Sequence, residues 1–158
     1  MIAIVDYGMG NRRSVEKALE HVGAEVARTA DHDEIRAADG IVVPGVGAFP
    51  EAMRRLRSAG LDEVIRERAE AGVPVLGLCL GMQLLFEASD EHEGATGLGL
   101  LPGRVTALNA PRVPHIGWNL VTFERPSAAR RSPWALVNAA RAPTCSNAFS
   151  TLRRLPIP

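Results

Sequence analysis

Gly77-Leu78-Cys79-Leu80-Gly81-Met82-Gln83 constrains this chain more than any other stretch. The apolar run Val73-Pro74-Val75-Leu76 leads into it, and an apolar-periodic stretch leads out. Strand, tight turn and helix in that order make a nucleophile elbow, with the cysteine at its apex in a strained, exposed position. Flanking glycines are needed because a Cβ on either side would collide with neighbouring backbone. The thiol then stands at a helix N-terminus, where the positive end of the dipole favours thiolate. An inert buried cysteine is the plain alternative for a lone thiol. The Gly-x-Cys-x-Gly context between strand and helix speaks against it. An absence matters equally: no His-x-Glu pair follows the elbow, although acyl transfer on a thiol needs an acid–base partner.

The residues before the elbow alternate between two periods. Residues 1–5 are a short apolar run that suits a strand buried on both faces. The glycine-rich turn Asp6-Tyr7-Gly8-Met9-Gly10-Asn11 follows, and then Val15, Ala18, Leu19 and Val22 fall at helical spacing up to Gly23. Residues 24–28 read as a second strand, and Asp31 with Glu34 forms a capping box for a short helix. Residues 40–43 read as a third strand, ending in the turn Pro44-Gly45-Val46-Gly47. Two helical stretches come next, one with Met53 and Leu56, the other with Leu61, Val64, Ile65 and Ala69. Residues 73–78 form the strand into the elbow, and a helix is expected over about 80–88.

Strands alternating with helices predict a doubly wound, mostly parallel α/β sheet with helices on both faces, of flavodoxin-like type. Active sites in such folds lie beyond the carboxyl ends of the strands. The turns after strands one and three and the elbow all fall at that edge. Beyond the elbow helix come an acidic loop at 89–94, an expected strand at 104–108, the segment Pro114-His115-Ile116-Gly117-Trp118-Asn119 and an expected strand at 120–123. From about Ser127 the character changes, with prolines and acid-free arginine clusters and no strand alternation. That composition suggests a segment that packs poorly or stays disordered.

Totals exclude several classes. The 158 residues suffice for one domain, and 18 basic against 18 acidic side chains give a formal net charge of zero. Nucleic acid and anionic membrane surfaces are therefore unfavoured as main partners. No apolar run approaches a membrane span and no leader-like segment opens the chain, so the expected location is cytoplasmic. Cys79 and Cys145 are no disulfide framework in a chain of this size. There is no Cys-x-x-Cys and no His-x-x-x-His, so neither a metal nor a cofactor is expected.

Four pieces together resemble one known family. They are Asp6 to Asn11 with Ser14, Pro44-Gly45-Val46-Gly47-Ala48-Phe49, the elbow, and Pro114 to Asn119. The elbow alone is similar to class I glutamine amidotransferases in general. The first turn and the Pro-His-Ile-Gly-Trp-Asn segment narrow the resemblance to the amidotransferase subunit of imidazole glycerol phosphate synthases, enzymes of histidine biosynthesis. The resemblance covers residues 1–126 and leaves 127–158 unmatched.

The resemblance implies a role for each piece. Cys79 corresponds to the nucleophile that attacks the side-chain amide of glutamine and forms a thioester. Leu80 would supply one oxyanion N–H, and Val46 or Gly47 the second. Gln83 would help hold glutamine. Asn11 and Trp118 would face a cyclase subunit, a (β/α)₈ barrel, in a heterodimer. The family completes its triad with a segment resembling Gln-Phe-His-Pro-Glu, and places a His-Ser-Tyr segment after the strand near 123; this chain has neither. Residues 127–158 read as an unrelated frame of the gene, so the expectation is a truncated or frameshifted subunit with impaired activity. Of the four histidines, His21, His32 and His92 read as solvated, and only His115 sits in a matched motif.

Plainer readings stand beside these. Gly45 and Gly47 are ordinary turn residues unless paired with the elbow. Trp118 suits core packing as well as a partner contact. The charges between Glu51 and Glu70 suit a solvated helix face. The first turn could bind phosphate, but it lacks Gly-x-Gly-x-x-Gly. Two alternative functions remain: a subunit that only binds the cyclase, and a different cysteine-elbow hydrolase.

Overall fold

The computed structural model describes residues 1–107 and the backbone of residues 134–137. Elements follow in the order β1 (Ile2–Val5), α1 (Arg12–His21), β2 (Val26–Thr29), α2 (His32–Ala37), β3 (Gly40–Gly45), α3 (Phe49–Ser58) and α4 (Leu61–Glu70). After them come β4 (Val75–Cys79), α5 (Leu80–Gln83), β5 (Phe86–Ser89), β6 (Ala95–Thr96), β7 (Leu101–Val105) and β8 (Trp134–Val137).

The main sheet has the order β2-β1-β3-β4-β8, and every pairing in it is parallel. β2 and β3 flank β1 on opposite sides, so right-handed crossovers send α1 and α2 to opposite faces. The expected doubly wound parallel sheet is therefore present. Its packed side joins alternate strand residues Ala3, Val5, Ile41, Val43 and Val75 to Ile35 of α2, Phe49 and Leu56 of α3, and Leu61 and Ile65 of α4. α1, on the other side, has no fully buried residue.

Local chemistry explains the ends of the elements. The Asp31 carboxylate accepts the N–H groups of Asp33 at 2.9 Å and Glu34 at 3.0 Å, which starts α2 as a capped helix. α3 has no such local cap: Ala48 holds the N-cap position and Pro50 follows in the first turn. Among the described residues no helix is long and apolar enough to cross a membrane.

Three expectations need correction. The helix predicted over 80–88 stops at Gln83, and Phe86–Ser89 is a strand. β5 pairs antiparallel with β6 and parallel with β7, giving a separate three-stranded sheet. Leu84-Leu85-Phe86 is an apolar run that periodicity cannot assign. Tertiary partners decide it: Leu98 N–H bonds Leu84 O at 2.8 Å and Gly97 N–H bonds Glu87 O at 2.8 Å. The strand expected at 104–108 begins earlier, at Leu101. β8 also falls inside the segment read as lacking strands, and it pairs with β4 from Trp134 opposite Val75 to Val137 opposite Leu78. The other calls beyond 107, among them the strand at 120–123, His115, Trp118 and Cys145, lie outside the described residues.

The tightest joint is backbone on backbone. A Cβ on Gly81 would lie 1.8 Å from the carbonyl oxygen of Val43. Gly81→Ala is expected to lower stability by about 3 kcal/mol or more, because neither main chain can yield. Urea unfolding measures this. Gly72→Ala is the control: it has φ +84° and open space around it, so it should cost only about 1–2 kcal/mol.

Candidate active site

The elbow is built as its sequence suggests. Cys79 ends β4 with φ 57° and ψ −117°, one of two non-glycine residues with positive φ among the described residues. Such a backbone costs about 1–3 kcal/mol and persists only where its surroundings enforce it. Three glycines provide that enforcement. A Cβ on Gly77 would lie 2.4 Å from Met82 Cα, and one on Gly45 would lie 2.6 Å from Gly81 N. With Gly81 against β3, the chain after Cys79 has one course open to it. The thiol stays exposed and free.

The helix dipole expected at the thiol is largely missing. α5 has four residues, and a macrodipole builds over several aligned turns. What the turn offers is its first unpaired N–H groups, beginning with that of Leu80, whose side chain is buried.

The turn after β3 meets the elbow through strand register. Gly45 lies opposite Cys79 in the β3–β4 pairing. Val46 and Gly47 follow immediately, both exposed, and Gly47 has φ +93°. Gln83 is half-buried at the end of α5. Asn11 is exposed, and its Oδ1 accepts the Ser14 N–H at 3.4 Å as the cap of α1. Cys79, Leu80, Val46 and Gly47 are thus brought to adjoining strand ends, whereas Asn11 starts α1 beyond β1.

Sequence reasoning missed Tyr7. Its ring is buried and its hydroxyl donates to the Pro44 carbonyl at 2.5 Å. Burial pushes its pKa well up, against the opposing charge of Arg12. Asp6 steadies the same turn: its carboxylate accepts the Gly8 N–H at 3.1 Å and pairs with Arg12, with Arg28 Nε 3.7 Å away. An inward-facing tyrosine next to a glycine turn was the available signal.

Glu91 was also missed. Its Oε2 accepts the Phe49 N–H at 2.7 Å, across 42 positions of sequence. No local pattern signals such a bond.

None of the described histidines is hydrogen-bonded to Cys79. His32 Nε2 lies 2.8 Å from the Ala59 carbonyl. His21 is in the last turn of α1, and His92 lies 3.8 Å from Glu91 Oε1. Among the described residues no group of three or more His, Cys, Asp or Glu side chains is placed to hold a metal ion.

Comparison with known proteins now decides the family. The model of the family "Glutamine amidotransferase class-I" matches residues 3–142. The chain belongs to the class-I glutamine amidotransferases. Among its relatives is the imidazole glycerol phosphate synthase subunit HisH of Bacillus cereus (strain G9842), 55% identical over 126 residues, which are 79% of this chain and 60% of that protein. The subunit of the same name from Moorella thermoacetica is 56% identical over 131 residues, 82% of this chain and 62% of that one. The chain thus spans about three-fifths of the length of these relatives. A crystal structure of a glutamine amidotransferase superposes with a TM-score of 0.61 at 23% identity, covering 72% of this chain and 60% of that one. That last likeness concerns the fold. The relatives carry the name to which the four motifs pointed.

Two predictions rest on this geometry. Cys79→Gly should be more stable than Cys79→Ala by about 1–2 kcal/mol, because only glycine adopts this backbone freely. In a chain of this size that is about 2–4 °C in melting temperature per kcal/mol, read by calorimetry. Tyr7, the single tyrosine, should keep its proton in the folded state above pH ~10, where the unfolded chain has lost it. The unfolded state then binds fewer protons, so stability falls as pH rises above ~10, by up to about 1.4 kcal/mol per pH unit. Tyrosinate absorbance should appear with unfolding and not before it.

Proposed function

We propose that this chain is the glutaminase component of an imidazole glycerol phosphate synthase. It would hydrolyse glutamine to glutamate and ammonia for a cyclase partner in histidine biosynthesis. The observation that supports this most is the register placing Gly45 opposite Cys79. It puts an exposed thiol and an exposed glycine turn at neighbouring strand ends, the layout that acyl transfer needs.

On this reading Cys79 Sγ attacks the side-chain carbonyl carbon of glutamine. The negative oxygen of the tetrahedral intermediate meets the N–H of Leu80 and that of Val46 or Gly47. Each such donor lowers the barrier by about 2.7–4 kcal/mol. Collapse expels ammonia and leaves the thioester, which water hydrolyses to glutamate. Gln83, beside the thiol on α5, helps hold the substrate. Asn11 and Trp118 face the cyclase, a (β/α)₈ barrel, in a cytoplasmic heterodimer whose joint product chemistry is that of a lyase. The four motifs assign residues 1–126 to the amidotransferase domain, and β8 adds a fifth strand to its main sheet.

One observation favours a weaker activity. No His-x-Glu follows the elbow, and among the described residues no histidine is hydrogen-bonded to Cys79 to protonate the departing ammonia. General acid–base help contributes on the order of 10²–10⁴-fold. A chain that binds the cyclase without hydrolysing glutamine is the limiting form of this reading. A different cysteine-elbow hydrolase would act on an ester and not on glutamine.

Glutamate release with and without the cyclase tests the proposal. The expected outcome is slow release that requires Cys79 and rises when free imidazole supplies the missing base. Cys79→Ala should remove it by at least about a thousandfold. Equal release by the parent chain and Cys79→Ala would refute the nucleophile assignment.

A further inference from the structure

The turn after β3 is held at its far end by an unusual contact. α3 begins at Phe49, two residues beyond Gly47. Its N-cap, Ala48, has no side chain able to accept an N–H, and Pro50 has no N–H to give. Phe49 is fully buried, so its N–H needs a partner. Glu91 Oε2 fills that need at 2.7 Å from the loop after β5.

That loop is itself fixed. The Glu91 N–H donates to Ser89 Oγ at 3.1 Å, and Ser89 is fully buried. The Gly94 N–H bonds the Glu91 carbonyl at 2.9 Å, and the Asp90 N–H bonds the Val105 carbonyl at 2.9 Å. The small sheet is tied to α3 a second time, where Arg57 Nη2 donates to Thr96 Oγ1 at 2.6 Å. Glu91 is therefore a fixed carboxylate at the start of a ten-residue helix, where negative charge is favoured.

We infer that Glu91 is a positioning residue: its bond to the Phe49 N–H clamps the Pro44–Ala48 turn against the elbow and so sets the turn's N–H groups over Cys79. Between Gly45, pinned by its register with Cys79, and Phe49, pinned by Glu91, only Val46, Gly47 and Ala48 are left to move. Without the clamp the buried Phe49 ring still holds the start of α3, but the Phe49 N–H loses its partner and the peptide planes between Gly45 and Phe49 gain freedom to reorient. The inference deepens the proposed glutaminase reading and rests on it for its chemistry, but the clamp itself is a property of the unliganded chain.

The experiment has two arms. Amide hydrogen exchange on the full chain without ligand reads the clamp directly. Glu91→Ala should speed exchange at Phe49 by about 10- to 100-fold, as expected for losing a hydrogen bond to a charged group. The amides of Met53 and Leu56 should stay unchanged, which controls for unfolding. Glu91→Gln keeps an acceptor oxygen and should remain within about threefold of the parent. Unchanged Phe49 exchange in Glu91→Ala overturns the clamp.

The second arm alkylates Cys79 with a glutamine analogue bearing a chloromethyl ketone in place of the amide. Glu91→Ala should lower the limiting alkylation rate about tenfold with half-saturation within twofold, and Glu91→Gln should restore the rate. A raised half-saturation with an unchanged limiting rate would show Glu91 holding the ligand, and would overturn the positioning role. Failure of the analogue to label the parent chain, while iodoacetamide does label Cys79, counts against the glutaminase reading. The exchange arm still decides the clamp in that case.

Discussion

The structure turns on one place where two main chains touch with no side chain between them. Gly81 of the elbow lies against the Val43 carbonyl of β3, and Gly77 lies against the backbone of Met82. Strand order, register and strain all follow from that contact. β3 must neighbour β4, as it does. The pairing must also run to Gly45 opposite Cys79, because a slip of one residue would turn every side chain to the other face. The strained φ of Cys79 is then a consequence of close packing, with no stabilising contact of its own required.

A strained apex needs a stiff surround, and the core provides it. α3 buries Phe49, Ala52, Met53 and Leu56, each large apolar side chain among them contributing roughly 1.5–3 kcal/mol. The turn holding Val46 and Gly47 therefore runs from a buried strand into a buried helix. Tyr7 adds a third anchor, with its hydroxyl on the Pro44 carbonyl. The small sheet adds a fourth through Glu91. An exposed site can stay shaped when every residue beside it is fastened to something buried.

Much of this was legible in the sequence, and the limits are instructive. Alternating strand and helix periods were enough for the parallel sheet, since each crossover is local. Gly-x-Cys-x-Gly was enough for the elbow, since its sterics involve residues close in sequence. The run at Leu84-Leu85-Phe86 was not legible, because its partners at Leu98, Gly99 and Leu100 come more than ten positions later and short apolar runs suit either period. Tyr7 and Glu91 escaped for the same reason: their partners are 37 and 42 positions away. β8 was hidden by its proline- and arginine-rich flanks, although Trp134-Ala135-Leu136-Val137 is itself apolar. Local patterns report local causes, and the residues that aim a site are seldom local.

On the proposed reading, presentation of the nucleophile and handling of protons are separable in this fold. Everything that presents the thiol lies between Asp6 and Glu91, bound together by the register of β3 with β4. Among the described residues no histidine is hydrogen-bonded to Cys79, so on this reading proton transfer falls to a group outside that unit. The two contributions differ in kind. Positioning and oxyanion donors act on the attack itself, whereas the acid–base group acts on the departure of ammonia. A chain with only the first should therefore react readily with an electrophile that needs no proton to leave. It should stall on an amide, whose nitrogen does. The contrast between those two substrates measures how much of the catalytic apparatus the elbow holds by itself.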